Sequence, residues 1–216
     1  MPTQAAFYFD LASPLAYFAA ERVLQVLGGP AEWRPVLARE LPGSNRFDAF
    51  RCREEQEVFR VEIERRAQTL GLQPLRWPEP FPFDSSLAMR VATYAASIGR
   101  TVPFAQAAFR QAFAGGHSLE DPDFVLIAAA ACEMHPTAVL RGAEMRSTVE
   151  RLEATTAAAV KAGVRDVPAV LVGTQVFAGG DSLERAAERM RIEAIDRSPG
   201  AAGYELRIEQ TGSRST

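Results

Sequence analysis

The chain has 216 residues, 47% of them hydrophobic, and its 24 basic and 27 acidic side chains give a formal charge of −3. This length suits one sizeable α/β domain, or a compact domain with a large insertion, around a packed core. The charge is spread along the chain without basic runs or acidic tails, which argues against nucleic acid or an anionic membrane surface as a partner. We therefore expect a small-molecule partner.

Targeting segments and metal-binding spacings are both missing from the sequence. No stretch reaches the roughly 20 apolar residues of a membrane span, and no basic segment followed by an apolar run opens the chain, so we expect a cytoplasmic protein. Cys52 and Cys132 form no CxxC and are interpreted as two reduced thiols. His117 and His135 lie in no metal-ligand spacing, so no metal site is predicted.

The first elements predict a β-α-β opening. AAFYFD at 5 to 10 is typical of a buried strand. Ser13 and Pro14 suit the cap and first position of a helix over 14 to 27, and Gly28 supplies its left-handed stop. Residues 31 to 38 predict a second strand, in which Pro35 favours an edge or irregular position.

A run of helices follows, and then a hairpin and a last helix. Helices are predicted near 53 to 70, 85 to 98 and 103 to 114, from Asp121-Pro122 onward, and over 144 to 162. Residues 167 to 180 predict two strands around a Gly173-Thr174 turn, and Asp181 to Glu184 form a capping-box motif that starts the last helix. The segment from about 195 is rich in Ser, Gly and Arg and is expected to fray.

This order predicts an α/β fold, a thioredoxin-like domain with a large all-helical insertion. We place the two halves of the domain at 1–42 and 144–195, the insertion at 43–143 and a C-terminal tail at 196–216.

Three junction features carry the candidate chemistry, and each also has an ordinary structural explanation. Ser13 at a helix N-terminus would favour a nearby anion, but Ser-Pro is also a common helix start. A cis Val167-Pro168 bond would present backbone groups to an extended ligand, although only about 5–6% of X-Pro bonds are cis. The glycines before Asp181 allow close backbone approach, yet Asp is also a favoured cap.

Longer motifs carry a resemblance to a known family. FYFDLASPLAYFAAERV at 7 to 23 resembles the opening of the 2-hydroxychromene-2-carboxylate isomerases and the kappa-class glutathione transferases, in the DsbA-like branch of the thioredoxin fold. GSNR at 43 to 46, VEIERRAQTLG at 61 to 71, WPEPFPFDSSLAMR at 77 to 90, GVRDVPAVLV at 163 to 172 and GGDSLE at 179 to 184 are similar to further family segments. The resemblance extends to about residue 190.

The resemblance implies that glutathione, or another low-molecular-weight thiol, is the cofactor. In the family, the serine corresponding to Ser13 replaces the reactive cysteine of DsbA-type enzymes and hydrogen-bonds the sulfur of the thiol, favouring the thiolate. By the same resemblance the cofactor contacts are Asn45, Arg53, Val167, Pro168, Gly180 and Asp181, with Val167 beside the cysteinyl part and Gly180 and Asp181 at the γ-glutamyl end. A homodimer is expected, as the family is commonly dimeric.

The implied activity is a thiol-dependent cis/trans isomerisation of an aromatic-derived carboxylic acid, part of aromatic-compound degradation. A kappa-like transferase or peroxidase, which consumes glutathione, is the nearest alternative. A non-catalytic thiol- or peptide-binding protein is a third possibility. Leu15 and Asp84 stand where the family often has an aromatic residue and Asn, which leaves the substrate and the thiol open.

Overall fold

The structure is a computed structural model, and it describes residues 4–43 and 52–196. The strands are β1 (Ala6–Phe9), β2 (Glu32–Pro35), β3 (Ala169–Val172) and β4 (Gln175–Ala178). The helices are α1 (Pro14–Leu27), α2 (Arg53–Thr69), α3 (Ser86–Ser97), α4 (Thr101–Phe113), α5 (Pro122–Ala130), α6 (Pro136–Glu144), α7 (Arg146–Lys161) and α8 (Ser182–Asp196), and a short 3-10 helix covers Ala38–Glu40.

The four strands form one mixed sheet in the order β2-β1-β3-β4. β1 and β2 are parallel and joined by α1, whereas β3 is antiparallel to both β1 and β4. Thus the predicted β-α-β opening and the late hairpin join into a single sheet, and the edge position favoured for Pro35 is confirmed.

Alternating side chains of β1 bury into two clusters on opposite faces of the sheet, as the period of a strand requires. Phe7 and Phe9 pack into the larger cluster, which contains residues of α1, α3, α4 and α8. Tyr8 packs into a smaller cluster with Ala159 of α7. The helices between β2 and β3 thus share a core with the sheet.

The predicted helix starts are confirmed where a polar cap precedes proline. The side chain of Asp121 accepts a hydrogen bond from the Asp123 amide at 2.9 Å at the start of α5. At the other end of α1, Gly28 has a φ of 66°, the left-handed value at which glycine carries no side-chain penalty.

The predicted helix over 144 to 162 is confirmed as α7, but the sequence analysis missed α6, the helix before it. The two helices are separated by Met145, which is in an extended conformation. His135-Pro136 repeats the pattern of a residue followed by a proline at the first helical position, a signal that would have identified α6. Gly142 lies so close to the Tyr94 ring that a Cβ there would overlap it, because α6 packs against α3.

Among the described residues, no helix is both long and apolar enough to cross a bilayer.

Candidate active site

Four loops converge at one end of the sheet. Tyr8 pairs with Ala169, and Ala169 pairs in turn with Ala178, so the turn after β1, the loop before β3 and the loop after β4 emerge together. The parallel partner of Phe9 is Pro35, which brings the loop after β2 to the same end. Ser13, Pro168 and Gly180 follow or precede these strand ends by a few residues.

Ser13 is the N-cap of α1 and also lines a cleft. Its Oγ accepts a hydrogen bond from the Ala16 amide at 3.1 Å, and its carbonyl accepts one from the Tyr17 amide at 3.0 Å. The Ala16 bond uses a lone pair of the hydroxyl, so the O–H proton remains available to an acceptor. Only 1% of the surface of Ser13 is exposed, and therefore only a group that enters the cleft can reach it.

The cleft has a volume of about 310 Å³. Its walls are the β1–α1 turn, the 3-10 helix after β2 and the segment from 82 to 85 that leads into α3. Phe83 gives it an aromatic wall, while Asp10, Arg39 and Asp84 supply charged or polar groups. It can hold a small ligand with an apolar body and a polar end.

Asp10 holds the walls of this cleft together. Its carboxyl oxygens accept hydrogen bonds from the Ala12 amide at 2.9 Å and the Ala38 amide at 2.8 Å, and Ser85 also bonds to it. Burial raises the pKa of the Asp10 carboxyl above its ordinary value, while these hydrogen bonds and the charge of Arg39 oppose the rise. Three segments distant in sequence are thereby joined at one side chain.

Arg39 and Asp84 form an ion pair at the cleft, at 3.1 Å. Arg39 also donates to Ser86 Oγ at 2.6 Å, and the Ser86 amide donates to Asp84 at 2.9 Å. Partial burial would raise the pKa of Asp84, but the bonds from Ser86 and the positive charge of Arg39 lower it below its ordinary value. Sequence reasoning did not single out Asp10 or Arg39, because their partners are known only from the fold.

The Val167-Pro168 bond is cis, as the resemblance implied. The Val167 amide donates to Oδ1 of Asp166 at 2.7 Å, and the Pro168 carbonyl accepts from the Gly179 amide at 3.0 Å. The loop before Pro168 is also tied to the start of the insertion, since the Gly43 amide donates to the Arg165 carbonyl at 2.6 Å. The proline loop is thus fixed to both neighbouring segments.

Two more cis bonds, at Glu79-Pro80 and Phe81-Pro82, lie in the segment entering the cleft and were not predicted.

The turn before α8 contains Gly179, Gly180 and Asp181. Gly179 has a φ of 95°, which requires glycine, and its carbonyl accepts from the Ser182 amide at 3.1 Å. The carboxylate of Asp181 is exposed and lies 3.7 Å from the guanidinium of Arg185. Ser182, the first residue of α8, is fully buried, and its hydroxyl has no hydrogen-bond partner in the described part of the chain.

Arg53 is not brought to this end of the sheet by any described interaction. It is the first residue of α2, and its side chain is 87% exposed and paired with Glu57 at 3.3 Å. Asn45 lies outside the described residues. Within the described ranges, no group of His, Cys, Asp and Glu side chains could hold a metal ion.

Comparison with known proteins supports the fold over nearly its whole length. Residues 4–191 match the profile of the DSBA-like thioredoxin domain family. A 2-hydroxychromene-2-carboxylate isomerase structure is 20% identical, with a TM-score of 0.75 over 90% of this chain and 98% of that one. A probable DsbA oxidoreductase from Streptomyces coelicolor is 16% identical, with a TM-score of 0.75 over 91% and 92% of the two chains.

A cytosolic disulfide reductase, DsbM from Pseudomonas aeruginosa, is 11% identical and matches with a TM-score of 0.61 over 89% of this chain and 98% of its own; it is also known in a structure with GSH. No curated protein sequence matches the chain. These structures, each below 25% identical to the chain, establish the fold and include both an isomerase and oxidoreductases. Because the family profile spans most of its length, the chain belongs to the DsbA-like thioredoxin domain family.

Proposed function

We propose that this protein is a thiol-dependent cis/trans isomerase that acts on a carboxylic acid derived from an aromatic compound, with glutathione or a related thiol as its cofactor. The observation that carries the proposal is the position of Ser13. Its hydroxyl caps α1 through a lone pair, while its proton is free to donate within a cleft that also contains an aromatic wall.

A serine here supports a function that differs from disulfide exchange. Ser13-Pro14-Leu15-Ala16 stands at the helix start where the DsbA-type enzymes carry a CxxC, and a hydroxyl cannot cycle through a disulfide. What it can do is donate a hydrogen bond to a sulfur anion, to which the N-terminus of α1 adds a favourable field. Both effects favour the thiolate and lower the pKa of a bound thiol.

The residues around Ser13 fit a thiol of extended, peptide-like shape. The Val167 amide lies outside the strand pairing, with the Asp166 carboxylate as its acceptor, so a ligand can compete for it. Gly180 and Asp181 would hold the far end of the ligand, next to a buried hydroxyl of Ser182 that has no partner. Orphaned buried polar groups of this kind are often completed by a ligand.

When bound, the thiol supplies a nucleophilic sulfur whose reversible addition to a double bond permits rotation before the double bond is restored. The protein's own residues hold and orient the thiol and the substrate. With the ligands bound, Ser13 would keep its proton and donate it in a hydrogen bond to the sulfur. Phe83 would line the apolar part of the substrate, and Arg39 would attract its carboxylate.

The first experiment is calorimetric titration with glutathione, cysteine and other cellular thiols, followed by turnover assays with the thiol that binds. For an isomerase, the cis and trans forms of an unsaturated aromatic acid interconvert and the thiol concentration stays constant. Consumption of the thiol with an electrophile would instead identify a kappa-like transferase. Binding without turnover on any electrophile would leave a non-catalytic thiol-binding protein.

A further inference from the structure

The guanidinium of Arg66, on α2, lies directly against the backbone of Gly180 in the turn before α8. The contact is so close that a Cβ at position 180 would overlap the guanidinium. Arg66 is partly buried, and its Nε is buried with no hydrogen-bond partner. Among the described residues it forms no ion pair, whereas Arg60, one to two turns earlier on α2, pairs with Glu79 at 3.2 Å and stacks over Trp77.

This position is electrostatically unfavourable in the protein alone. A helix N-terminus carries unpaired amide groups and a partial positive charge, so a cation beside it is repelled. The carboxylate of Asp181, which belongs to the same turn, lies by the side chain of Arg185. The hydroxyl of Ser182, in the first turn of α8, is also buried without a partner. The turn before α8 is therefore contacted by one residue with an orphaned polar atom, Arg66, and followed by another, Ser182.

An anion bound at this turn would have a guanidinium and a helix N-terminus beside it. It would accept hydrogen bonds from the guanidinium and from a helix N-terminus, and its charge would relieve the repulsion between them. A carboxylate suits a planar guanidinium because it can accept two parallel N–H bonds. The short distance from Gly180 to Arg66 is possible only because position 180 has no side chain.

We infer that Arg66 and the first turn of α8 bind the carboxylate at the γ-glutamyl end of the thiol, and so select thiols with an anionic group there. This inference rests on the proposed function, in which Gly180 and Asp181 hold that end of the ligand. Arg66 lies in the predicted insertion, so the insertion completes the ligand site of the thioredoxin-like part and supplies a residue that determines ligand specificity.

The test combines one substitution with one truncation of the ligand. Arg66→Met keeps the aliphatic stem and removes the charge. Calorimetry on wild type and variant would use glutathione, γ-glutamylcysteine, which keeps the γ-glutamyl carboxylate, and cysteinylglycine, which lacks it. Loss of a charge-assisted hydrogen bond corresponds to a roughly 10- to 100-fold weaker affinity. We expect this loss with the first two ligands and unchanged binding of cysteinylglycine.

Two further variants serve as controls. Arg65→Met removes a charge from an exposed neighbour on the same helix and should change none of the affinities. Arg66→Lys keeps the charge without the planar fork and should bind glutathione with intermediate affinity.

Stability without any ligand provides a second measurement. Because Arg66 lacks a partner, Arg66→Met should unfold in urea at the same or a higher midpoint than wild type. A merely structural arginine would instead give a lower midpoint, and that result would overturn the inference. So would equal losses of affinity for glutathione and cysteinylglycine, or no loss for either. If wild type binds no thiol at all, the proposed function fails, and this inference with it.

Discussion

The two helix N-termini of the candidate site, those of α1 and α8, differ in how their polar groups are satisfied. At α1 the hydroxyl of Ser13 accepts from the Ala16 amide, and the Ser13 amide donates to the Asp10 carbonyl at 3.1 Å. At α8 the hydroxyl of Ser182 is buried without a partner, and Arg66 brings a second positive charge to the turn. Among the described residues, the Ser13 hydroxyl at α1 thus has a hydrogen-bond partner, whereas the Ser182 hydroxyl at α8 has none.

This difference shows how one site can have a part that is rigid before binding and a part whose polar groups are satisfied only by a ligand. Groups satisfied within the protein hold their geometry before binding, which avoids an ordering cost. Unsatisfied groups lower stability but contribute to affinity when a ligand completes them. The comparison therefore predicts that the ionisation of the bound thiol depends on the N-terminus of α1. The choice of thiol depends on the N-terminus of α8.

The largest expected effect is that of Ser13→Ala on the bound thiol. Loss of one hydrogen bond to a charged group costs about 1.5–3 kcal/mol, which corresponds to a rise of about one to two units in the pKa of the thiol. The measurement is ultraviolet thiolate absorbance of the glutathione complex against pH, for both proteins. Coinciding titrations with binding retained would reduce Ser13 to a helix cap.

Asp10→Asn should lower the free energy of unfolding by about 1–3 kcal/mol, because it weakens the contacts on the α1 side of the site. An amide oxygen can accept from only one of the Ala12 and Ala38 amides, and its NH₂ group then faces the other. Urea unfolding of the two proteins at neutral pH measures the difference. Equal midpoints would mean that Asp10 does not tie these segments together.

The same pair of proteins should differ in pH dependence. Burial raises the pKa of Asp10 above its ordinary value of 3.8, so the native state keeps a proton that the unfolded chain has already released. The contribution of Asp10 to the free energy of unfolding is therefore largest at pH values below 3.8, and it falls as the pH rises through the native pKa. The advantage of wild type over Asp10→Asn should shrink over this range, and an advantage that grows would contradict the assigned direction.

A serine-to-alanine change should have opposite effects at the two helix ends when no ligand is present. Ser13→Ala removes a cap and should destabilise the fold by about 0.5–2 kcal/mol. Ser182→Ala removes a buried hydroxyl that has no partner and should leave stability unchanged or raise it, since such a group costs about 1–3 kcal/mol. Thermal unfolding of both variants gives the signs. Similar destabilisation at both positions would remove the distinction between the two ends.

The smallest expected effect belongs to the cysteines. Cys52 is exposed at the start of α2 and Cys132 is buried, and neither lines the cleft. The double variant Cys52→Ser with Cys132→Ala should therefore keep its turnover nearly unchanged, provided that circular dichroism shows a folded protein. Loss of turnover in the folded variant would replace the Ser13 hypothesis with a cysteine mechanism.

The sequence was most informative where structure depends on neighbours along the chain. Ser13-Pro14 and Asp121-Pro122 predicted two helix starts, and Gly28 predicted a helix end, because caps and left-handed stops are set by a few consecutive residues. The family resemblance added the cis bond at Pro168, for which the local sequence by itself favoured trans. Asn45 and Arg53 remain predictions.

By itself, then, the sequence determined the order of the elements other than α6, and the identity of the groups at the α1 end, where cap, proline and first turn are adjacent. Only the tertiary structure decided that Asp10 joins Ala38 and Ser85, and that Arg66 lies on Gly180. Both depend on segments that are far apart in the chain and are brought together by burial of the shared core. Such contacts leave no pattern in the local sequence. An arginine on α2 has the same neighbours along the chain whether or not its side chain contacts the turn before α8.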